Sequence, residues 1–434
     1  MERDHRTPWS AGAVFSSDGL RLRGVPAQAL AAEHGTPLIV YDEDEVRTRC
    51  RELAARFPRA LYAVKAFTAR PVIRIALEEG LGLLAASGGE VVACLRAGAD
   101  PAHVVFHGNN KSRDELELAV ASGVGLVVAD SLDELVELDL VARTASTVQA
   151  VLVRVTPGVS GGTHRYVETG EADSKFGIPI AEGLEAVRFA AGAEGLSFRG
   201  LHAHVGSQLL RPEPALASLD VLLQLAATAR ADTGTTIEML DVGGGFGVTY
   251  TDEPPLDLAA FSARLTDALH DGAVRRGLPT PELVVEPGRW VVANAGLTLY
   301  RVGTVKRRGD QAVVAVDGGM SDNIRPALYG ARHEVALAGP GRPGSPVRAT
   351  VVGKHCESGD VLATDAALPR LPERGDLLAV ATTGAYCYSM SSSYNRIGRP
   401  AVVAVNDGVV REWLRRETDD DLDRLELDLV EAAP

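Results

Sequence analysis

Eight short apolar runs, at residues 61–65, 81–86, 104–107, 126–129, 151–155, 199–205, 239–242 and 283–286, alternate with longer amphipathic segments. The first five recur roughly every 20 to 45 residues, room for one strand, one helix and two loops, as in βα units around parallel strands. Eight such units predict an α/β fold, a (β/α)8 TIM barrel, whose active site lies at the C-terminal ends of its strands. Polar and glycine-rich residues fall at those ends. Lys65 closes the first run, Ser87, Gly88, Gly89 and Glu90 follow the second, and His107, Gly108, Asn109 and Asn110 the third. His202 and His204 end the sixth, Gly243, Gly244 and Gly245 the seventh, and Glu286, Gly288 and Arg289 the eighth. A doubly wound sheet would gather such residues at a single switch point, so the barrel is the expected fold.

Beyond Trp290 the texture changes. Short alternating runs at 297–306, 312–316, 347–352, 377–382 and 401–405 are separated by Gly/Pro turns, an all-β pattern. We expect a C-terminal β domain over 291–434, a barrel over 35–290, and an N-terminal segment, 1–34, whose strands contribute to the β domain. The net charge of −14 argues against a nucleic-acid partner, since phosphate binding needs a basic surface. No apolar run approaches a membrane span, and no charged-then-apolar leader opens the chain. Cys50, Cys94, Cys356 and Cys387 lack metal-ligand spacing and read as free thiols, which points to a cytoplasmic protein without a metal site.

The strand-end residues suggest chemistry. The run ending in Lys65 reads as a strand buried on both faces, where an unpaired ammonium is costly. Such a lysine either has a depressed pKa, suited to Schiff-base chemistry because only the neutral amine attacks a carbonyl, or snorkels to a rim carboxylate. His202 and His204 share one strand face, a spacing that suits a metal, but no carboxylate or thiol lies near them in sequence. His204 stacked on a flat cofactor, with Ser207 on its phosphate, fits a barrel mouth better, and His202 reads as a buried, satisfied histidine. The glycines at 243–245 either bring backbone N–H groups to a phosphate or make a tight turn. Glu286 suits a protonated ring nitrogen and Arg289 a phosphate or carboxylate; the plainer reading is a rim salt bridge. In the β region, Cys356 beside Glu357 pairs a proton donor with a carboxylate, although most such cysteines are structural.

Taken together, Lys65, the triple-glycine turn, Glu286 to Arg289, the segment from Asp317 to Tyr329, and Cys356 to Asp360 resemble the fold-type III pyridoxal-phosphate decarboxylases. Within these the chain looks like the diaminopimelate decarboxylases, from about residue 35 to 410. The resemblance implies an alanine-racemase-like barrel in which Lys65 holds pyridoxal 5'-phosphate as a Schiff base. It places His204 on the ring, and Ser207, Gly243, Gly244, Gly245, Gly288, Arg289 and Tyr386 around the ring and phosphate. Glu286 would keep the ring nitrogen protonated, whereas a racemase of this fold typically has an arginine there. Arg289, Arg325, Tyr329, Glu357 and Tyr386 match substrate contacts, and Cys356 would return a proton to the α-carbon.

The implied reaction converts meso-2,6-diaminopimelate to L-lysine and carbon dioxide, in a homodimer where Cys356 and Glu357 reach the neighbouring subunit's cofactor. A decarboxylase of ornithine, lysine or a carrier-bound amino acid is the alternative. Arg325 argues against it, since a diamine-forming enzyme would meet a distal ammonium with an acid. Two departures stand out. Leu84 occupies a position that commonly carries an aspartate, expected to alter the polar surroundings of Lys65, and Glu171-Ala172 replaces a His-Glu-type pair in a loop.

Overall fold

The structure, a computed structural model, describes residues 8–159, 175–308 and 311–427. Two compact units divide the chain: Glu45–Ala293, and a second formed by the segment up to Asp44 with that from Asn294 onward.

The first unit is a closed parallel barrel. Its strands are β1 (Arg59–Ala63), β2 (Gly82–Ala85), β3 (Val104–Phe106), β4 (Leu126–Ala129), β5 (Gln149–Thr156), β6 (Leu196–His202), β7 (Met239–Asp241) and β8 (Glu282–Val285). Each pairs in parallel with the next, and β8 returns to β1. All eight apolar runs are therefore strands of one barrel. Its interior is filled by Leu61, Ala63, Leu84, Val105, Leu126, Val128, Leu152 and Val284. These alternate along their strands, as the inward face of a pleated strand requires. Leu84 is part of this packing, so the position where the resemblance leads one to expect an aspartate is plain hydrophobic core here. Glu171-Ala172 lies outside the described residues.

Serine and aspartate caps set where the helices begin. Ser87 accepts from the Glu90 N–H, Ser131 from Glu134 and Asp257 from Ala260, and Ser112 makes a full capping box with Glu115. Each cap satisfies one of the orphan N–H groups of a helix's first turn, so strand, loop and helix follow within a few residues.

The second unit is built on a nine-stranded sheet. Its main path runs Val361–Leu368, Val347–Val352, Gln311–Val316, Gly296–Arg308, Leu38–Asp42, Ala401–Asn406 and Val409–Leu414; Val335–Leu337 and Leu377–Val380 pair alongside. Two apolar clusters cover it, one around Leu38, Val40, Leu299 and Val403, the other around Val314, Val351, Leu362 and Leu378. The Leu38–Asp42 strand lies in the stretch assigned from sequence to the barrel. All five of its residues are buried between Gly296–Arg308 and Ala401–Asn406, which makes it a central strand of this sheet. The sequence reading also passed over Val361–Leu368, whose alternation is broken at Asp365, a non-glycine residue with φ of 55°. Among the described residues no helix is long and apolar enough to cross a membrane.

Candidate active site

Two residues beyond the inward apolar positions, the barrel interior turns polar. Val105 is followed by His107, Val128 by Asp130, Leu152 by Arg154 and Val284 by Glu286. Keeping the strand's alternation puts these side chains on the inward face, above the core, where Met239 and Gly200 similarly lead to Asp241 and His202. All six are buried. Charge in such a place needs partners, and it has them. His107 Nε2 stands 2.8 Å from Glu286 Oε1, His202 Nε2 3.3 Å from Glu286 Oε2, and the two imidazoles meet edge to face at 4.3 Å. Arg154 lies 3.4 Å from Asp130 and over the Phe176 ring.

Burial pushes both histidines down, His107 to about 3, so the rings are neutral. Burial alone would raise Glu286, but the two imidazoles more than offset it and hold the carboxyl well below its ordinary range. Asp241 goes the other way, raised by burial and then by the Glu286 charge. The two acids are thus pushed apart, Glu286 toward the carboxylate and Asp241 toward the neutral acid, as when two carboxyls share a site.

His107, His202 and Glu286 present ligand atoms within 4.8 Å of one another, so the fold supplies the carboxylate that sequence spacing denied to the histidines. The 2.8 Å contact is nevertheless too close for two ligands of one ion. Atoms sharing one ion at about 2.1 Å each stand wider apart.

Around this layer lie the residues nominated from the sequence. Lys65 was expected inside a strand buried on both faces. It sits instead on a single 3-10 turn, Val64–Ala66, just past β1, and is exposed. The premise of burial fails for it. Position brings it into play, because its charge acts on Glu90 and on His204. Glu90 is raised by burial, against the Ala86 N–H that donates to it at 2.7 Å. His204 is held well below the ordinary range, by desolvation first and Lys65 second, and its Nδ1 accepts the Gly244 N–H at 3.2 Å. That bond fixes the ring's plane and tautomer.

The glycine turn is explained by backbone contact. Gly243 and Gly245 have φ of 75° and 83°, and a Cβ at Gly244 or Gly245 would fall 2.2 Å from the Glu286 carbonyl or 2.1 Å from that of Gly206. The Gly243 amide donates to Asp241 at 2.8 Å and the Gly244 amide to His204, so two of the three are engaged within the protein. A polar cradle stands close by in the contacts of Arg289, which donates to Ser207 Oγ at 2.9 Å and to the Tyr250 hydroxyl. Tyr250 escaped the sequence reading because it follows the seventh strand by nine residues. Gly288 packs against Ala63 and Ala66, too close for a side chain. The opposite, N-terminal end of the barrel opens a cavity lined by Arg59, His103 and Arg199. No nominated residue lines it, and its arginines are paired with Glu282 and Glu238.

The remaining nominated residues belong to the second unit. Arg325 is buried with its guanidinium 5.6 Å from the Tyr329 ring and 5.9 Å from that of Tyr386, which takes a left-handed φ of 60°. Cys356 is exposed; its N–H donates to Asn395 Oδ1 at 3.1 Å. Its loop is tied down by Asp360, which accepts from Met320 N–H at 2.7 Å and from His355 N–H and Nδ1 at 2.9 Å each. The His355 ring lies parallel to Tyr394 at 5.8 Å. Glu357 is exposed and accepts from Ser358 and Gly359.

Residues 43–293 match the family described as pyridoxal-dependent decarboxylase, pyridoxal binding domain. The chain is 46% identical over 422 residues to the diaminopimelate decarboxylase of Mycobacterium tuberculosis, covering 94% of each. To that of Actinosynnema pretiosum subsp. auranticum it is 48% identical over 425 residues, 96% of this chain and 95% of the other. The crystal structure of the Helicobacter pylori diaminopimelate decarboxylase complexed with L-lysine superposes with a TM-score of 0.85 at 32% identity, over 92% of this chain and 98% of that one.

Proposed function

The chain belongs to the diaminopimelate decarboxylases, within the pyridoxal-dependent decarboxylases, and from that footing we propose how its residues divide the work of turning meso-2,6-diaminopimelate into L-lysine and carbon dioxide. One carbon–carbon bond breaks, carbon dioxide leaves, and the carbon that held it gains one proton. The observation that carries the reading is the buried Glu286 carboxyl at the barrel mouth, with an imidazole against each oxygen holding it well below its ordinary range.

Pyridoxal 5'-phosphate, when bound, supplies the electron sink for the pair left by the departing carboxylate. The cradle fits it. Glu286 is an anion suited to a protonated ring nitrogen, His204 offers a ring face whose plane Gly244 fixes, and Ser207 with Arg289 and Tyr250 supplies donors for a phosphate. Lys65 is the attachment point, its amine reachable on the turn after β1. Arg325, near two tyrosine rings, suits the distal carboxylate of a dicarboxylic amino acid, which a guanidinium fork grips at two oxygens. Cys356 Sγ delivers the proton, on a loop held by Asp360 and Asn395. We further assign a homodimer in which Cys356 and Glu357 serve the neighbouring copy's Lys65. Four free cysteines support the cytoplasm as its compartment.

The test is direct. Holoprotein given meso-diaminopimelate should release equal amounts of carbon dioxide and lysine; release from lysine or ornithine in its place would overturn the substrate assignment. Cys356→Ala should keep the cofactor's visible absorbance and slow turnover by about 10²-fold or more, as loss of a general acid does. Unchanged turnover would remove Cys356 from the mechanism.

A further inference from the structure

The layer above the barrel core holds more acid than base. Glu286 is held toward its carboxylate form and Asp241 toward its neutral acid. Arg154 and Asp130 cancel, and the two histidines are neutral. Among the described residues facing Glu286, one buried negative charge is therefore left over. A lone buried anion is costly unless hydrogen bonds hold it and a cation completes it. The contacts come from β6 and from the residue that follows β3. His202 Nε2 hydrogen-bonds one carboxylate oxygen, and His107 Nε2 stands 2.8 Å from the other without a formed hydrogen bond, so each oxygen has an imidazole against it. Each ring does so through Nε2, which for a neutral ring facing a carboxylate must be the protonated nitrogen. His202 Nδ1 is buried with no hydrogen-bond partner, as an unprotonated ring nitrogen in that tautomer would be.

We propose that His107 and His202 are positioning residues that clamp Glu286, one imidazole on each oxygen, as the fixed anion that meets the ring nitrogen of the cofactor. The proposal rests on the reading of Glu286 as that nitrogen's partner. It gives the third and sixth strands a part in the reaction without touching substrate: they set the protonation state of a ring they do not contact. Glutamine can present an N–H near the place of an imidazole Nε2, whereas leucine fills the space and donates nothing.

The experiment uses holoenzyme carrying pyridoxal 5'-phosphate labelled with 15N in the ring. In the unmutated protein the ring nitrogen should give the pyridinium resonance. In His107→Leu and His202→Leu it should move toward free pyridine, with kcat down about 10–100-fold, the usual cost of losing a residue that orients another functional group. His107→Gln and His202→Gln should restore both. Retention of the pyridinium signal in the leucine variants, or failure of glutamine to rescue, overturns the clamp. Glu286→Gln separates the two levels. If it too keeps the pyridinium, the reading of Glu286 itself fails; if it alone loses the signal, only the clamp does. Should the leucine variants not fold, 15N-histidine spectra of the unmutated protein decide. Two neutral rings protonated at Nε2 support the clamp, and an imidazolium or an Nδ1–H tautomer at either position refutes it.

Discussion

Asp322 lies wholly inside the β unit, accepting the Gly319 N–H at 2.8 Å and the Tyr300 hydroxyl. Burial pushes its carboxyl up to about 7, against those two bonds and helped by the charges of Asp360 and Asp317. An unfolded aspartate releases its proton near pH ~3.9. Between that value and about 7 the folded chain holds a proton that the unfolded chain has lost, so stability falls as pH rises across the window. Below it the contribution is fully present; above about 7 it is gone. Asp322→Asn, neutral at every pH, removes this dependence and leaves other titrations in place. Melting temperatures should show the wild type losing ground against the variant as pH rises from ~4 to about 7. Parallel curves would mean that Asp322 is already ionised at the lower pH.

At the scale of elements, the turns after β6, β7 and β8 are packed backbone against backbone. Gly245→Ala must both hold a left-handed φ and drive a methyl into the Gly206 carbonyl. Gly123 ends the Arg113–Ser122 helix with a similar φ of 73° but with open space around it. Alanine at Gly123 should cost about 1–2 kcal/mol, the left-handed penalty alone. At Gly245 the overlap adds roughly 1–3 kcal/mol. Denaturation midpoints measure the difference, and equal losses would show that close packing is not why glycine stands there. The same turns show what was legible in the sequence. Strand ends could be read because polarity switches on abruptly after each apolar run, which brings out His107 and Glu286; Asp130 and Arg154, two residues beyond the inward Val128 and Leu152, go unread because which face points inward shows only in the closed barrel. What cannot be read is adjacency across the barrel. Positions 107, 202 and 286 meet only when β3, β6 and β8 belong to one closed sheet, so His202 looked like an ordinary core histidine and His107 received no role. The exposure of Lys65 was hidden for a local reason: the apolar residues before it continue past the strand into a turn.

At the scale of the molecule, Lys65 belongs to the barrel unit and Cys356 to the β unit, so the proposal calls on residues of both units. Whether both come from one copy is a question of assembly that a mixing experiment answers. Lys65→Ala has no attachment point and Cys356→Ala no proton donor, so each protein alone should be nearly inactive. If every site combines Lys65 of one copy with Cys356 of the other, random re-association makes about half of the dimers mixed, and two-fold symmetry gives each mixed dimer one intact site of two. Activity should recover to about a quarter of wild type when the variants are unfolded together, or co-expressed, and allowed to pair. If both residues come from one copy, every site in the mixture still carries a defect and nothing recovers. A double variant, Lys65→Ala with Cys356→Ala, mixed with wild type completes the argument. Under the shared-site arrangement both sites of a mixed dimer are damaged, each by one residue, and activity falls below the share expected from dilution. Under the single-copy arrangement the wild-type half of every mixed dimer keeps working, and dilution alone is seen.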